Sequence, residues 1–170
     1  NCEITDNAND GIHLLNSSNP LIGGDSIGNI IKNNAGFGIY CEDASPYPEI
    51  IGNTITGNGD YGLRLGAMMR LGQNVLSGNG QVGIEVVAEA INADITWSLD
   101  GSPYIVTGNI TVRNADANNE AATLTIEPGV EVRFEPGKRL YVGYSHYYKN
   151  YYGAVSAIGT PSSPIVFTAD

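Results

Sequence analysis

Four side chains of unlike chemistry share one offset in this chain. His13, Tyr40, Arg64 and Glu85 each lie two residues after a glycine, at Gly11, Gly38, Gly62 and Gly83. A base, an aromatic ring, a cation and a carboxylate in one row could hold a sugar chain. Two facing carboxylates would suggest glycoside hydrolysis. Only Glu85 lies on the row, and Glu42 falls two residues past Tyr40. The plain alternative is a solvated strand face, polar because it meets water. That alternative is the first reading, ligand binding the second and catalysis the last.

The elements that must position this row follow from a repeat. Aligned on the glycine, four segments superimpose: CEITDNANDGIHL (2–14), NIIKNNAGFGIYC (29–41), NTITGNGDYGLRL (53–65) and NVLSGNGQVGIEV (74–86). They share N-x-[IL]-x-x-N-x-x-x-G-[IL]-x-[apolar]. The inner asparagines are Asn7, Asn34, Asn58 and Asn79, and successive glycines are 27, 24 and 21 residues apart. Each ends in a short apolar alternation of strand period, such as Ile39-Tyr40-Cys41 or Ile84-Glu85-Val86. The Gly and Asn clusters read as turns that need positive φ. One such unit cannot bury its apolar side, but stacked units form a solenoid with a continuous core. The neighbours of His13, Tyr40, Arg64 and Glu85 then point inward, and these four line one outer face in register.

These segments resemble the repeats of right-handed parallel β-helix proteins, the pectate-lyase-like superfamily, over roughly residues 1–90. The resemblance implies an all-β fold, a right-handed parallel β-helix solenoid, with Asn7, Asn34, Asn58 and Asn79 stacked as a ladder. It speaks for a fold far more than for a function. In the family's enzymes such outer faces often form the polysaccharide groove. Pectate lyases are similar in using clustered aspartates for calcium and an arginine as base. Here Arg64 has Asp60 and Tyr61 close by, but no aspartate cluster repeats on its face, and the Asp-Pro-His motif of alginate epimerases is absent.

Residues 1–91 are therefore read as four coils and 92–105 as a connection containing Trp97. Residues 106–170 are read as further β-helix-like coils with a tyrosine-rich excursion at 141–152. LTIEPGVEVRF and AIGTPSSPIVFTAD resemble opening coils of bacterial surface β-helix modules. The chain is thus either the tail of one segment and the head of another, or one continuous helix. It starts without Met and stops in mid-rung, so a piece of a larger repetitive secreted protein is expected.

The excursion holds Tyr141, Tyr144, Tyr147, Tyr148, Tyr151 and Tyr152, six of ten tyrosines, with His146, Lys149 and Asn150 between them. Tyrosine joins an apolar ring to a polar tip and suits half-wet surfaces, where sugars stack and proteins dock. The competing expectation is a flap that packs over the solenoid's end or flank and shields a strand edge.

No cofactor is expected. Calcium is the one candidate, at Asp6 and Asp10 or at Asp116, Asn118 and Glu120, because hard oxygen ligands suit it. Neither stretch matches an EF-hand or a calcium β-roll, so solvated turns come first. Cys2 and Cys41 fall on inward repeat positions, which predicts two buried small residues at different places around the coil and no disulfide between them.

Charge narrows the partners. With 18 acidic and 8 basic residues the net charge is −10, which lacks the basic footprint of a nucleic-acid binder. No apolar run is long enough to span a bilayer as a helix. The expected partners are a polysaccharide or other copies or modules of the same protein. The expected role is a structural or adhesive extracellular module that stacks end to end, with carbohydrate binding as the alternative and a polysaccharide lyase, epimerase or hydrolase as the last reading.

Overall fold

A computed structural model describes residues 1–15, 18–42, 47–116 and 120–170. These residues form short strands, most of them three residues long, with a single 3-10 turn at Leu99–Gly101. Short strands are what the repeat dictates: an in–out–in alternation cut on both sides by turn residues. Ile39–Cys41, Leu63–Leu65 and Ile84–Val86 each bury their first and third residues. Equivalent strands of successive coils pair in parallel, so the chain winds as the expected β-helix. Its interior is one apolar cluster running from Leu14 and Ile22 to Val130 and Val132.

A seven-stranded sheet runs from the first coil to the last. Its strands are Ile12–Leu14, Ile39–Cys41, Leu63–Leu65, Ile84–Val86, Tyr104–Val106, Glu131–Phe134 and Val166–Ala169. The other sides of the solenoid change strands midway. A four-stranded sheet ends at Val75–Ser77 and a three-stranded one at Arg70–Gly72. Two new three-stranded sheets begin at Glu89–Ile91 and Ile95–Trp97. Residues 92–105 carry the strand Ile95–Trp97 and the start of Tyr104–Val106, and the long sheet crosses them without a break.

Two rows of asparagine hold the first four coils. Asn34 Oδ1 accepts both the backbone N–H (3.2 Å) and the side-chain amide (2.7 Å) of Asn7. Asn58 does the same for Asn34, and Asn79 for Asn58. A second row, Asn29, Asn53 and Asn74, repeats the arrangement on the leading residue of each segment. Asn34, Asn53 and Asn58 are buried, so satisfying every amide group is what makes these positions tolerable.

The glycine row has a different cause from the one its turn-like setting predicts. Gly11, Gly38 and Gly62 do not have positive φ; of the four only Gly83 does (92°). They are small because the next coil presses on them. A Cβ on Gly38 would lie 2.5 Å from Ile55 Cγ2, 2.6 Å from the Gly62 carbonyl oxygen and 2.9 Å from Asn58 Nδ2. The left-handed residues come just before the inner asparagines: Asp6, Asn33, Gly57 and Gly78, with φ of 58°, 55°, 66° and 62°.

Beyond the fourth coil an aromatic plug replaces the amides. Trp97 and Tyr104 are buried and stacked, ring centroids 4.7 Å apart. Trp97 Nε1 donates to the Ala67 carbonyl (3.0 Å), and Tyr104 OH to the Ser98 carbonyl (2.7 Å). Burial pushes the Tyr104 hydroxyl well above the ordinary phenol range.

Candidate functional site

The outer row forms, and it is longer than four residues. Register places His13, Tyr40, Arg64 and Glu85 side by side on the seven-stranded sheet and continues through Ile105, Arg133 and Thr168. The alternation in the last three strands carried this signal. The row was hard to follow because the coil spacing changes from the regular decrease of the repeats.

The members engage one another. The His13 ring lies 4.4 Å from that of Tyr40, and the Arg64 guanidinium sits 4.7 Å from the centroid of the same tyrosine. Phe37 stacks on Tyr40 at 5.1 Å. Arg64 Nε pairs with Glu85 Oε2 at 3.1 Å, and its Nη1 donates to the Cys41 carbonyl. Glu85 Oε1 accepts the Thr107 hydroxyl at 3.0 Å. His13 stands between Asp10 (3.7 Å) and Glu42 (3.9 Å). Further along, Arg133 grips Glu131 through two hydrogen bonds, which hold that carboxyl below the usual range. Ile105, though outward in register, is buried. The row thus offers a chain of satisfied contacts rather than a carboxylate pair facing an open groove.

The tyrosine excursion is a β-hairpin. Tyr144–His146 pairs antiparallel with Lys149–Tyr151, and Tyr147 and Tyr148 form the tip. It leaves the solenoid at Gly143 and returns at Gly153, where a Cβ would lie 2.0 Å from the Val112 carbonyl oxygen. Asn114 Oδ1 accepts the Tyr152 N–H at 2.9 Å, and Asn114 N–H donates to the Tyr152 carbonyl, which pins the base. Tyr144 and Tyr151 face each other across the strands, and the Arg113 guanidinium lies 5.6 and 5.3 Å from their rings. The hairpin does not cover the end, although its base lies on the flank against Arg113. Tyr147 is 86% exposed and Tyr148 wholly so, and the last strand, Val166–Ala169, is exposed throughout. Antiparallel self-pairing explains this, because the hairpin satisfies its own backbone and projects.

The cysteine expectation holds for Cys41 and fails for Cys2. Cys41 is buried and Cys2 exposed. Cys2 occupies the inward position of the outermost coil, where no described strand covers it. Asp10 Oδ1 accepts the Phe37 N–H at 2.8 Å, which gives that carboxylate a turn-holding role. Asn118 lies outside the described residues. Among the described residues no group of three or more His, Cys, Asp or Glu gathers as metal ligands.

One half-buried carboxylate was not among the sequence candidates. Glu89 Oε2 accepts the Met68 N–H at 2.8 Å, and Gly66 leaves it room, since a Cβ there would lie 2.5 Å away. Burial raises its pKa, opposed by the N–H groups of Met68 and Ala67. Its place in a strand of period two, next to Ala90, was the available hint.

Among the described residues no helix is long and apolar enough to cross a membrane. Comparisons with curated proteins and with solved structures gave no match. The family model for the right-handed β-helix region matches residues 1–98, more than half of the chain and all of the asparagine-laddered coils. This chain belongs to the right-handed β-helix family.

Proposed function

We propose that the chain is a non-catalytic structural and adhesive β-helix module of a large extracellular or cell-surface protein. The observation that carries this reading is the outer row, where the groups that could do chemistry are spent on one another. Arg64 is held by Glu85, Tyr40 and the Cys41 carbonyl, and Glu85 by Arg64 and Thr107. Such a row stiffens a spacer. Incubation of the chain with a broad panel of polysaccharides is expected to release no shortened or unsaturated sugars. Release that Arg64→Ala or Glu85→Gln abolishes would sink the reading.

Stacking of coils is how this fold grows: a parallel strand edge recruits another strand, from a further coil or from another copy. Phe167→Lys is then expected to reduce end-to-end growth.

A second reading, a carbohydrate-binding module, is favoured by the exposed hairpin tip alone. It predicts retention on an immobilised polysaccharide that Tyr147→Ala with Tyr148→Ala removes.

A further inference from the structure

The exchange of sheets at the fourth coil opens a groove on the flank. The last strand of one sheet, Arg70–Gly72, lies beside the first strand of another, Ile95–Trp97. The cavity between and beyond them measures about 580 Å³ and is lined by Asp94, Thr96, Ser98, Thr125, Glu127 and Arg70, among others. Pockets that enclose drug-sized groups run from roughly 300 to 1,000 Å³, so this one has room for an aromatic side chain.

Its polar groups are under-used. Asp94 Oδ1 accepts the Thr123 N–H and Glu127 Oε2 the Leu99 N–H, and the second oxygen of each makes no hydrogen bond among the described residues. The Ser98 hydroxyl is buried and has no partner among the described residues. A buried hydroxyl left unpaired is a standing cost that an incoming donor or acceptor relieves. The one cation on the rim, Arg70, is paired with Glu49.

The hairpin has the complementary character. Residues 141–152 contain Lys149 and His146 and no carboxylate, in a chain of 18 acidic and 8 basic residues. Lys32, Arg64, Arg70 and Arg133 are all in ion pairs. Arg113, Lys138, Arg139 and Lys149 form none among the described residues, and all four flank the hairpin or its strand. Tyr147 adopts φ of 53° at the tip, a position that glycine or asparagine fills at less cost. A bulky aromatic held there against its backbone preference points to use of the ring.

We propose that the hairpin of one copy seats Tyr147 and Tyr148 in the acidic groove of a second copy, with Lys149 against Asp94 and Glu127. The occupant is argued from charge: the cationic aromatic tip and the acidic groove belong to the same molecule and are both unfilled. A hairpin-in-groove contact joins two different surfaces, so it either closes reciprocally into a two-fold dimer or runs head to tail into rings and open chains. It runs through the flanks, so it is independent of stacking at the end rungs.

Sedimentation velocity over a concentration series at physiological salt tests this with three forms of the whole chain. The hairpin variant carries Tyr147→Ser, Tyr148→Ser and Lys149→Glu. The groove variant carries Asp94→Asn, which keeps the acceptor for Thr123, and Thr96→Trp, which fills the space from an exposed position. Circular dichroism melts confirm that both fold. Wild type is expected to grow with concentration, and each variant alone to associate at least tenfold more weakly. The decisive sample is the equimolar mixture of the two variants. One keeps its groove and the other its hairpin, so the mixture should form a 1:1 dimer and stop there. A wild type that stays monomeric overturns the proposal, including one retained on a polysaccharide column through the same tyrosines. A hairpin variant that associates as wild type does, or a mixture that stays monomeric, overturns it as well; growth lost only with Phe167→Lys assigns association to the end rungs.

Discussion

The two halves of this solenoid share a sheet but not a means of cohesion. Residues 1–91 are tied coil to coil by amides, the oxygens of Asn34, Asn58 and Asn79 and of Asn53 and Asn74 each taking two hydrogens from the coil before. Beyond them the core is mainly apolar, with Trp97 stacked on Tyr104 and valine, leucine and isoleucine on either side, and Asn114 at the hairpin base is its single buried amide among the described residues. The difference teaches why one half is regular and the other is not. A buried amide row demands fixed offsets, because a misplaced asparagine leaves several polar groups unpaired. An apolar core demands only volume and alternation, so it tolerates a 3-10 turn, a sheet exchange and a projecting hairpin. The irregular half also holds the open groove and the four cations that form no ion pair among the described residues.

This comparison can be broken first at Asn58. Its oxygen accepts two hydrogens from Asn34, and its amide donates to Asn79 and to the Ile31 carbonyl. Asn58→Ala is expected to cost about 3 kcal/mol or more in denaturant unfolding, since each buried group left unpaired costs roughly 1–3 kcal/mol. Asn7→Ala, at the exposed end of the same row, should cost far less. Equal losses at the two positions would show that burial does not govern the ladder.

Tyr104→Phe probes the other half. It removes one hydroxyl that donates to one carbonyl and keeps the ring. The expected loss is about 1 kcal/mol. A loss as large as that of Asn58→Ala would mean that polar ties matter equally in both halves.

The smallest effect expected is a pH dependence at Glu89, on the boundary between the halves. Burial raises its pKa in the fold, so the folded chain holds this proton more tightly than the unfolded chain does. The stability it contributes is present below the ordinary carboxylate range and is lost as pH rises through the raised folded value. Glu89→Gln keeps a carbonyl for Met68 and removes the charge. Thermal melts should therefore show the variant gaining on wild type between acid and neutral pH. A difference that is flat with pH would contradict the assignment.

Legibility in the sequence followed the same division. Asn34, Asn58 and Gly38 could be placed from spacing alone, because stacking makes the same residue recur at each coil. The outer row could be placed as far as Glu85 for the same reason. Its continuation to Ile105, Arg133 and Thr168 was written only as alternation, and alternation does not reveal which coil a strand joins. The hairpin was visible as a cluster of tyrosines. That it projects rather than covers an end depends on its self-pairing, and no turn glycine marks it, since tyrosines fill the tip. The groove had no sequence mark at all, because it arises from one sheet ending beside another.

The account's central claim is that the outer row is structural. A double-mutant cycle between Arg64 and Glu85 tests it most directly, from the unfolding free energies of Arg64→Ala, Glu85→Ala and the pair. Their contact is 3.1 Å, with the two side chains only 22% and 15% exposed. The account predicts a coupling of about 1 kcal/mol or more, at or above the upper end for exposed pairs. A coupling indistinguishable from zero would contradict it and leave these two charges to a ligand.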